Sequence, residues 1–213
     1  VITPAQAATL TFDPNGTFTG TTTFTFTATD NNGAVDATPA TFTIPIGNNP
    51  PTANNVTNAS IPSTAGATTI SALSATDTDG TIASYTVSTL PANGTLALGG
   101  VAVTAGQVIT PAQAATLIFD PNGTFTGTTT FTFTATDNNG AVDATPATFT
   151  IPIGNNPPTA NDVTNASIPS TAGATTISAL SATDTDGTIA SYTVSTLPAN
   201  GTLALGGVAV TAG

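Results

Sequence analysis

The sequence predicts an all-β fold, built as a tandem array of Greek-key β-sandwiches with seven or eight strands per repeat. Three observations carry that prediction. Residues 1–106 align without a gap to residues 108–213 and differ only at Thr11/Ile118 and Asn55/Asp162, so one 107-residue unit is written twice. About a quarter of the residues are Thr, Glu is absent, and Ala is scattered among β-branched residues, a mixture that favours pleated strands over helices. Short alternating apolar segments recur every 8 to 12 residues, the spacing expected of a sandwich.

The clearest element runs through Phe131-Thr132-Phe133-Thr134-Ala135-Thr136, where Phe131, Phe133 and Ala135 share one face and the Thr residues the other. The next strand repeats the pattern, with Ala147, Phe149, Ile151 and Ile153 inward and Thr148, Thr150 and Pro152 outward. Asp137-Asn138-Asn139-Gly140 begins the turn between them. Leu117 and Phe119 point inward and Ile118 outward, which explains why the counterpart of Ile118 can be Thr11. Further strands are expected at 70–75, 82–87, 95–98 and 101–103, with an edge strand near 56–61 and a two-residue turn at Gly99-Gly100. Pro62, Pro146 and Pro152 are expected to blunt sheet edges.

Gly47 to Ala53 and Gly154 to Ala160 both read Gly-Asn-Asn-Pro-Pro-Thr-Ala. A Pro pair cannot extend a ladder and stiffens the chain, so these stretches are the expected domain boundaries. In that frame 50–156 is a complete repeat, 1–49 the C-terminal half of another and 157–213 the N-terminal half of a third. The ends are expected either to be an excerpt of a longer array or to be completed by neighbouring chains.

Composition excludes several functions. The 213 residues contain no Lys, Arg, His or Cys, and the 11 acidic residues give a net charge of −11. Phosphate backbones and anionic membrane surfaces are captured by Lys and Arg, so neither nucleic acid nor membrane insertion is expected. Disulfides, thiolate or imidazole metal sites, Ser-His and Cys-His nucleophile pairs and Schiff bases are all ruled out. The partners that remain are cations, neutral glycans and other proteins, above all further copies of the repeat along a fibre or array.

The series Asn93-Gly94-Thr95-Leu96, Leu117-Ile118-Phe119-Asp120-Pro121-Asn122-Gly123, Gly127 to Asp137 and Asn155-Asn156-Pro157-Pro158 resembles the bacterial Ig-like and cadherin-like repeats of giant surface adhesins. The resemblance covers the whole repeat. It implies an extracellular, non-enzymatic tandem module acting as stalk or spacer at the cell surface, often with Ca2+ at domain junctions.

Asp77-Thr78-Asp79-Gly80 is the leading metal candidate, because alternate carboxylates beside a Gly turn can converge on a hard cation. In an Ig-like topology this turn shares a pole with Asp137 and with the incoming linker. Asp13, Asn48, Asp77, Asp79 and Asp137 are therefore expected to meet at one junction, and Asp120, Asn155, Asp184 and Asp186 are the candidates at the next. The alternative is that the Asp-Gly and Asn-Gly pairs simply form turns. For glycans, outward Thr130, Thr132, Thr148 and Thr150 are candidate O-glycosylation positions, the alternative being that Thr is a good solvent-facing strand residue.

Overall fold

The computed structural model describes residues 1–213. All 27 buried residues lie between Pro51 and Ile153, so the only closed core belongs to the central repeat.

Two sheets enclose that core. The larger runs in the order Val108–Ile109, Ile82–Val87, Gly127–Asp137, Ala147–Gly154 and Val56–Thr57, with Ile61–Pro62 also paired to Ala147–Gly154. The smaller orders Val101–Ala102, Gly94–Leu98, Leu117–Pro121 and Thr68–Thr69. A ribbon of Thr52–Asn54 against Ser74–Thr76 closes the end that receives the linker. The two short segments beside Ala147–Gly154 run parallel to it, and every other pairing is antiparallel.

Period-2 alternation sets which side chains fill the space between the sheets. Phe131, Phe133 and Ala135 of the central strand and Phe149 and Ile151 of its neighbour are fully buried, as are Leu117 and Phe119 from the smaller sheet. Phe131 stacks on Phe149 at 4.8 Å between ring centroids, and Tyr85 meets Phe133 edge-on at 5.8 Å. Ile118 is half-buried, on the side opposite Leu117 and Phe119. Gly99 and Gly100 have φ of 57° and 81°, the positive pair that a two-residue hairpin turn requires.

Several expected elements differ. The central repeat contains twelve strand segments rather than seven or eight: the expected edge strand is broken in two, and Thr52–Asn54, Thr68–Thr69 and Val108–Ile109 pair where no strand was expected. The stretch 70–75 is not one strand: Ile70 and Leu73 bury their side chains where the chain leaves the smaller sheet for the ribbon, and only Ser74–Thr76 pairs. The expected edge strand divides into Val56–Thr57 and Ile61–Pro62. Its pairing advances four residues, Thr57 to Ile61, against three on the partner, Thr150 to Ile153, and the break lies opposite Pro152. Pro152 therefore does not sit on an outer edge, since its strand has neighbours on both sides. A one-turn helix at Pro111–Ala114, with its copy at Pro4–Ala7, was not expected. Its signal is present as Thr110-Pro111-Ala112-Gln113, a capping box with Pro at the first helical position.

The flanking segments form the same local pairings without a core. Gly20–Phe26 pairs with Ala40–Ile46 in the register of its downstream copy, and Phe24 stacks on Phe42 at 5.0 Å. Residues 159–161 and 181–183 repeat the small ribbon.

Candidate functional site

The conserved-in-copy polar groups meet where the linker enters the central repeat. The non-strand stretch Gly47–Pro51 carries them in: Pro50 and Pro51 have no N–H to offer a ladder, and Pro51 is buried. The chain thus reaches the core extended, with Asn48 and Asn49 held just outside it.

Two turns of the repeat face those asparagines. One is Asp77–Gly80, in which the Asp79 N–H donates to Asp77 Oδ1 at 3.2 Å. The other begins at Asp137, whose Oδ1 accepts the N–H groups of Asn139 and Ala141, both at 2.8 Å. Asn138 ties the turns together: its Oδ1 accepts from the Thr81 N–H at 2.7 Å and its own N–H donates to the Thr81 carbonyl at 2.9 Å. Gly80 is required here, because a Cβ would stand 2.5 Å from Asn138 Oδ1 and 2.8 Å from Asp77 Oδ2.

The linker binds both turns. Asn49 donates its backbone N–H (3.0 Å) and its Nδ2 (3.2 Å) to Asp79 Oδ2. Asn48 Nδ2 donates to Asp137 Oδ2 at 2.7 Å, while Asn48 Oδ1 accepts from Asn139 Nδ2 at 2.6 Å. Asn139 Nδ2 also reaches Thr19 Oγ1 of the preceding segment at 3.0 Å. The Asn48 amide, aided by the N–H groups of the turn, holds the Asp137 carboxyl below the usual carboxylate range, against the opposing effect of burial.

The second junction repeats the first and adds to it. Asn156 donates its N–H (2.9 Å) and Nδ2 (3.1 Å) to Asp186 Oδ2. Ser63 Oγ of the preceding repeat donates to the same oxygen, and Asn156 Nδ2 also contacts Ser63 Oγ at 2.8 Å and Thr64 Oγ1 at 3.1 Å. The Ser63 hydroxyl is the main cause that holds Asp186 below the usual range, followed by the Asn156 N–H.

The expected site residues therefore divide. Asn48, Asp79 and Asp137 come together through the linker, and Asp77 supports Asp79 from within its turn. Asp13 does not join them: its neighbours Pro14 and Gly16 border the cleft beside Asn49 and Asp79, while Asp13 lines an adjoining hollow with Asn15 and Thr22. Asp120 is exposed and paired with Thr95 in the smaller sheet, away from the linker contacts. At the second junction Asp186 is engaged and Asp184 supports it, whereas Asn155 Nδ2 donates to the Asn156 carbonyl. Ser63 was not anticipated, and no sequence signal places it against a carboxylate 123 positions away. Asp143 was also missed. It is buried, and its Oδ2 accepts the Ala53 N–H at 2.7 Å, fixing the chain just past the linker.

Three buried carboxylate oxygens at the two junctions have no hydrogen-bond partner: Asp77 Oδ2 and Asp79 Oδ1 at the first and Asp186 Oδ1 at the second. Oxygens of this kind are what calcium binds, as one part of a set of six to eight, although no three acidic side chains converge at either junction. Asp79 Oδ2 and both oxygens of Asp137 face N–H donors instead.

The outward Thr candidates form cross-strand pairs, Thr130 opposite Thr150 and Thr132 opposite Thr148, so their hydroxyls stand in rows on one sheet face.

Residues 48–151 match a family described as bacterial Ig domain. No curated protein matches the chain.

Proposed function

The central repeat is a bacterial Ig-like domain, and from that premise we propose that the chain is a structural spacer, a run of stiffly joined sandwiches that separates two points outside a bacterial cell. Domains of this kind are generally non-catalytic, and the absence of Lys, His and Cys removes the usual nucleophile and base pairs. No helix is long and apolar enough to cross a membrane.

The observation that carries the reading is the recurrence of one linker contact at two successive junctions. Asn49 grips Asp79 as Asn156 grips Asp186, each through backbone N–H and side-chain amide to one carboxylate oxygen. A repeat that fixes its own entry angle every 107 residues adds length in constant steps. Binding to a remote target, by glycan or protein contact, would then fall to other parts of an adhesin.

Small-angle scattering on chains carrying increasing numbers of repeats tests this. The maximum dimension should grow linearly by about 40 Å per repeat, from a central strand of eleven residues at about 3.4 Å each. Growth with the square root of repeat number would indicate free hinges and remove the spacer reading.

A second reading is a filament in which residues 157–213 of one chain complete residues 1–49 of the next by strand complementation. Its support is the exposure of Phe24, Phe26 and Phe42, at 43%, 50% and 50%, where their copies Phe131, Phe133 and Phe149 are at 0%. Sedimentation that stays monomeric across a wide concentration range would exclude it.

A further inference from the structure

We infer that consecutive repeats are docked by a clasp with three parts: the Asp79/Asp186 carboxylate, the linker Asn49/Asn156, and a Ser63-type hydroxyl from the preceding repeat. The Asn48–Asp137 pair closes a second point of the same interface. The clasp deepens the spacer reading, and its role in stiffness rests on that reading, although the contacts stand independently of it.

The argument comes from overlaying the two junctions through the 107-residue period. The Asn–Asp contact is common to both, with lengths that agree within 0.1 Å. Each junction then displays one contact the other lacks. Asn48, Asp137 and Asn139 meet only at the first, and Ser63, Thr64 and Asn156 only at the second. An array with complete repeats on both sides presents both sets at every junction.

The first junction has an apolar cleft beside the same carboxylate. It is lined by Phe12, Phe18, Ile44 and Ile46 and reaches Asn49 and Asp79. Shifted by 107, those apolar residues are Phe119, Phe125, Ile151 and Ile153, part of the core against which Ile61 packs, and Ile61 pairs with Ile153. The cleft is thus the seat of a segment like Ile61–Ser63, which brings a hydroxyl to Asp79 as Ser63 comes to Asp186.

The clasp also offsets part of the charge, through Oδ2 of Asp79 and Asp186, while Oδ1 of each stays buried without a partner. Asp79, Asp137 and Asp186 would otherwise be carboxylates at an interface with no Lys or Arg. Each accepts two or more N–H or O–H groups instead. Charge-assisted bonds of this kind are about twice as strong as neutral ones. Asn48 is fixed at both ends of its amide, so its N–H, rather than its oxygen, faces Asp137.

Amide hydrogen exchange on the full chain, read residue by residue by NMR at neutral pH, tests the inference. The Asn49 and Asn156 N–H groups should be protected. Ser63→Ala should accelerate exchange at Asn156 by about tenfold or more and leave Asn49 unchanged. Asp79→Ala should do the same at Asn49 alone, with the Phe131 and Phe133 amides reporting that the sandwich remains folded. Free exchange at Asn49 and Asn156 in the unsubstituted chain would overturn the clasp while leaving the spacer reading standing. An Asn156 amide indifferent to Ser63→Ala would overturn the part assigned to the preceding repeat. Non-linear growth in the scattering series would instead remove the spacer reading and leave the contacts in place.

Discussion

Asn48 Nδ2 lies 2.7 Å from Asp137 Oδ2, a bond that spans 89 residues of chain and ties the linker to the far end of the strand at the centre of the larger sheet. Linker angle and sheet position are thereby coupled. Anything that changes the Asp137 carboxylate changes the hinge.

The first such change is protonation. The folded carboxyl of Asp137 sits below its ordinary value, chiefly through the Asn48 amide, so the ionised form is the one the fold stabilises. A depressed carboxylate contributes stability above the unfolded value of about 3.9 and loses it as pH falls through the lower folded value. The Asn48 side-chain amide resonance should therefore be constant from neutral pH to about pH 4 and move only below it. With no His in the chain, a transition near pH 6 would contradict this assignment.

The duplicated sequence supplies its own control for core packing. Phe131→Ala should destabilise the central repeat by about 3–5 kcal/mol, the range for emptying a buried aromatic site. Phe24→Ala, at the same position of the flanking copy but 43% exposed, should cost less than about 1 kcal/mol. Urea unfolding followed through the near-ultraviolet signal of Tyr85, which packs on Phe133, distinguishes the two. Equal losses would mean that the flanking half is as buried as the central one.

Gly94 has φ of 146°, and a Cβ there would lie 2.3 Å from Phe119 Cζ and 2.6 Å from the Asp120 carbonyl oxygen. Its counterpart Gly201, at φ of 142°, would meet nothing within 4 Å. Both Ala variants carry the backbone penalty of about 1–2 kcal/mol, but only Gly94→Ala must also displace a packed ring and a backbone. Thermal unfolding of the central repeat should drop by several degrees more for Gly94→Ala than for Gly201→Ala.

Asp143 is a buried carboxylate whose two oxygens accept the N–H groups of Ala53 and Thr145 at 2.7 and 3.0 Å. Asp143→Ala leaves the Ala53 N–H without its acceptor and should cost about 1.5–3 kcal/mol. Faster amide exchange at Ala53, with the Phe131 amide unaltered, locates the effect at the linker end of the domain. Unchanged exchange at Ala53 would show that the bond is dispensable.

Much of the fold was legible because local pattern and burial agree. Alternation in 131–136 and 147–153 named the inward residues without error, since a period of two admits a single core face. Breaks within edge strands were not legible. Where 70–75 leaves the sheet depends on Ile70 and Leu73 finding a core assembled from distant strands. At the junction, Asn48, Asp79 and Asp137 were legible from turn chemistry and linker position. Which N–H groups the Oδ2 atoms of the two Asp accept was not legible, because those donors come from the linker, 30 and 89 positions away in the chain.

The two copies separate what sequence fixes from what tertiary structure decides. Phe24 faces Phe42 in the same register as Phe131 faces Phe149, with rings stacked at 5.0 and 4.8 Å, so strand identity, pairing and the cross-strand contact follow from local sequence alone. Yet the first pair is exposed and the second fully buried. A β-sheet can pair its own backbone, but its apolar face leaves water only when a second sheet covers it. The Asn–Asp contact of the linker falls on the local side of that divide, since Asn156 holds Asp186 in a segment without a core as Asn49 holds Asp79, whereas the Asn48–Asp137 bond needs the central strand of the closed fold.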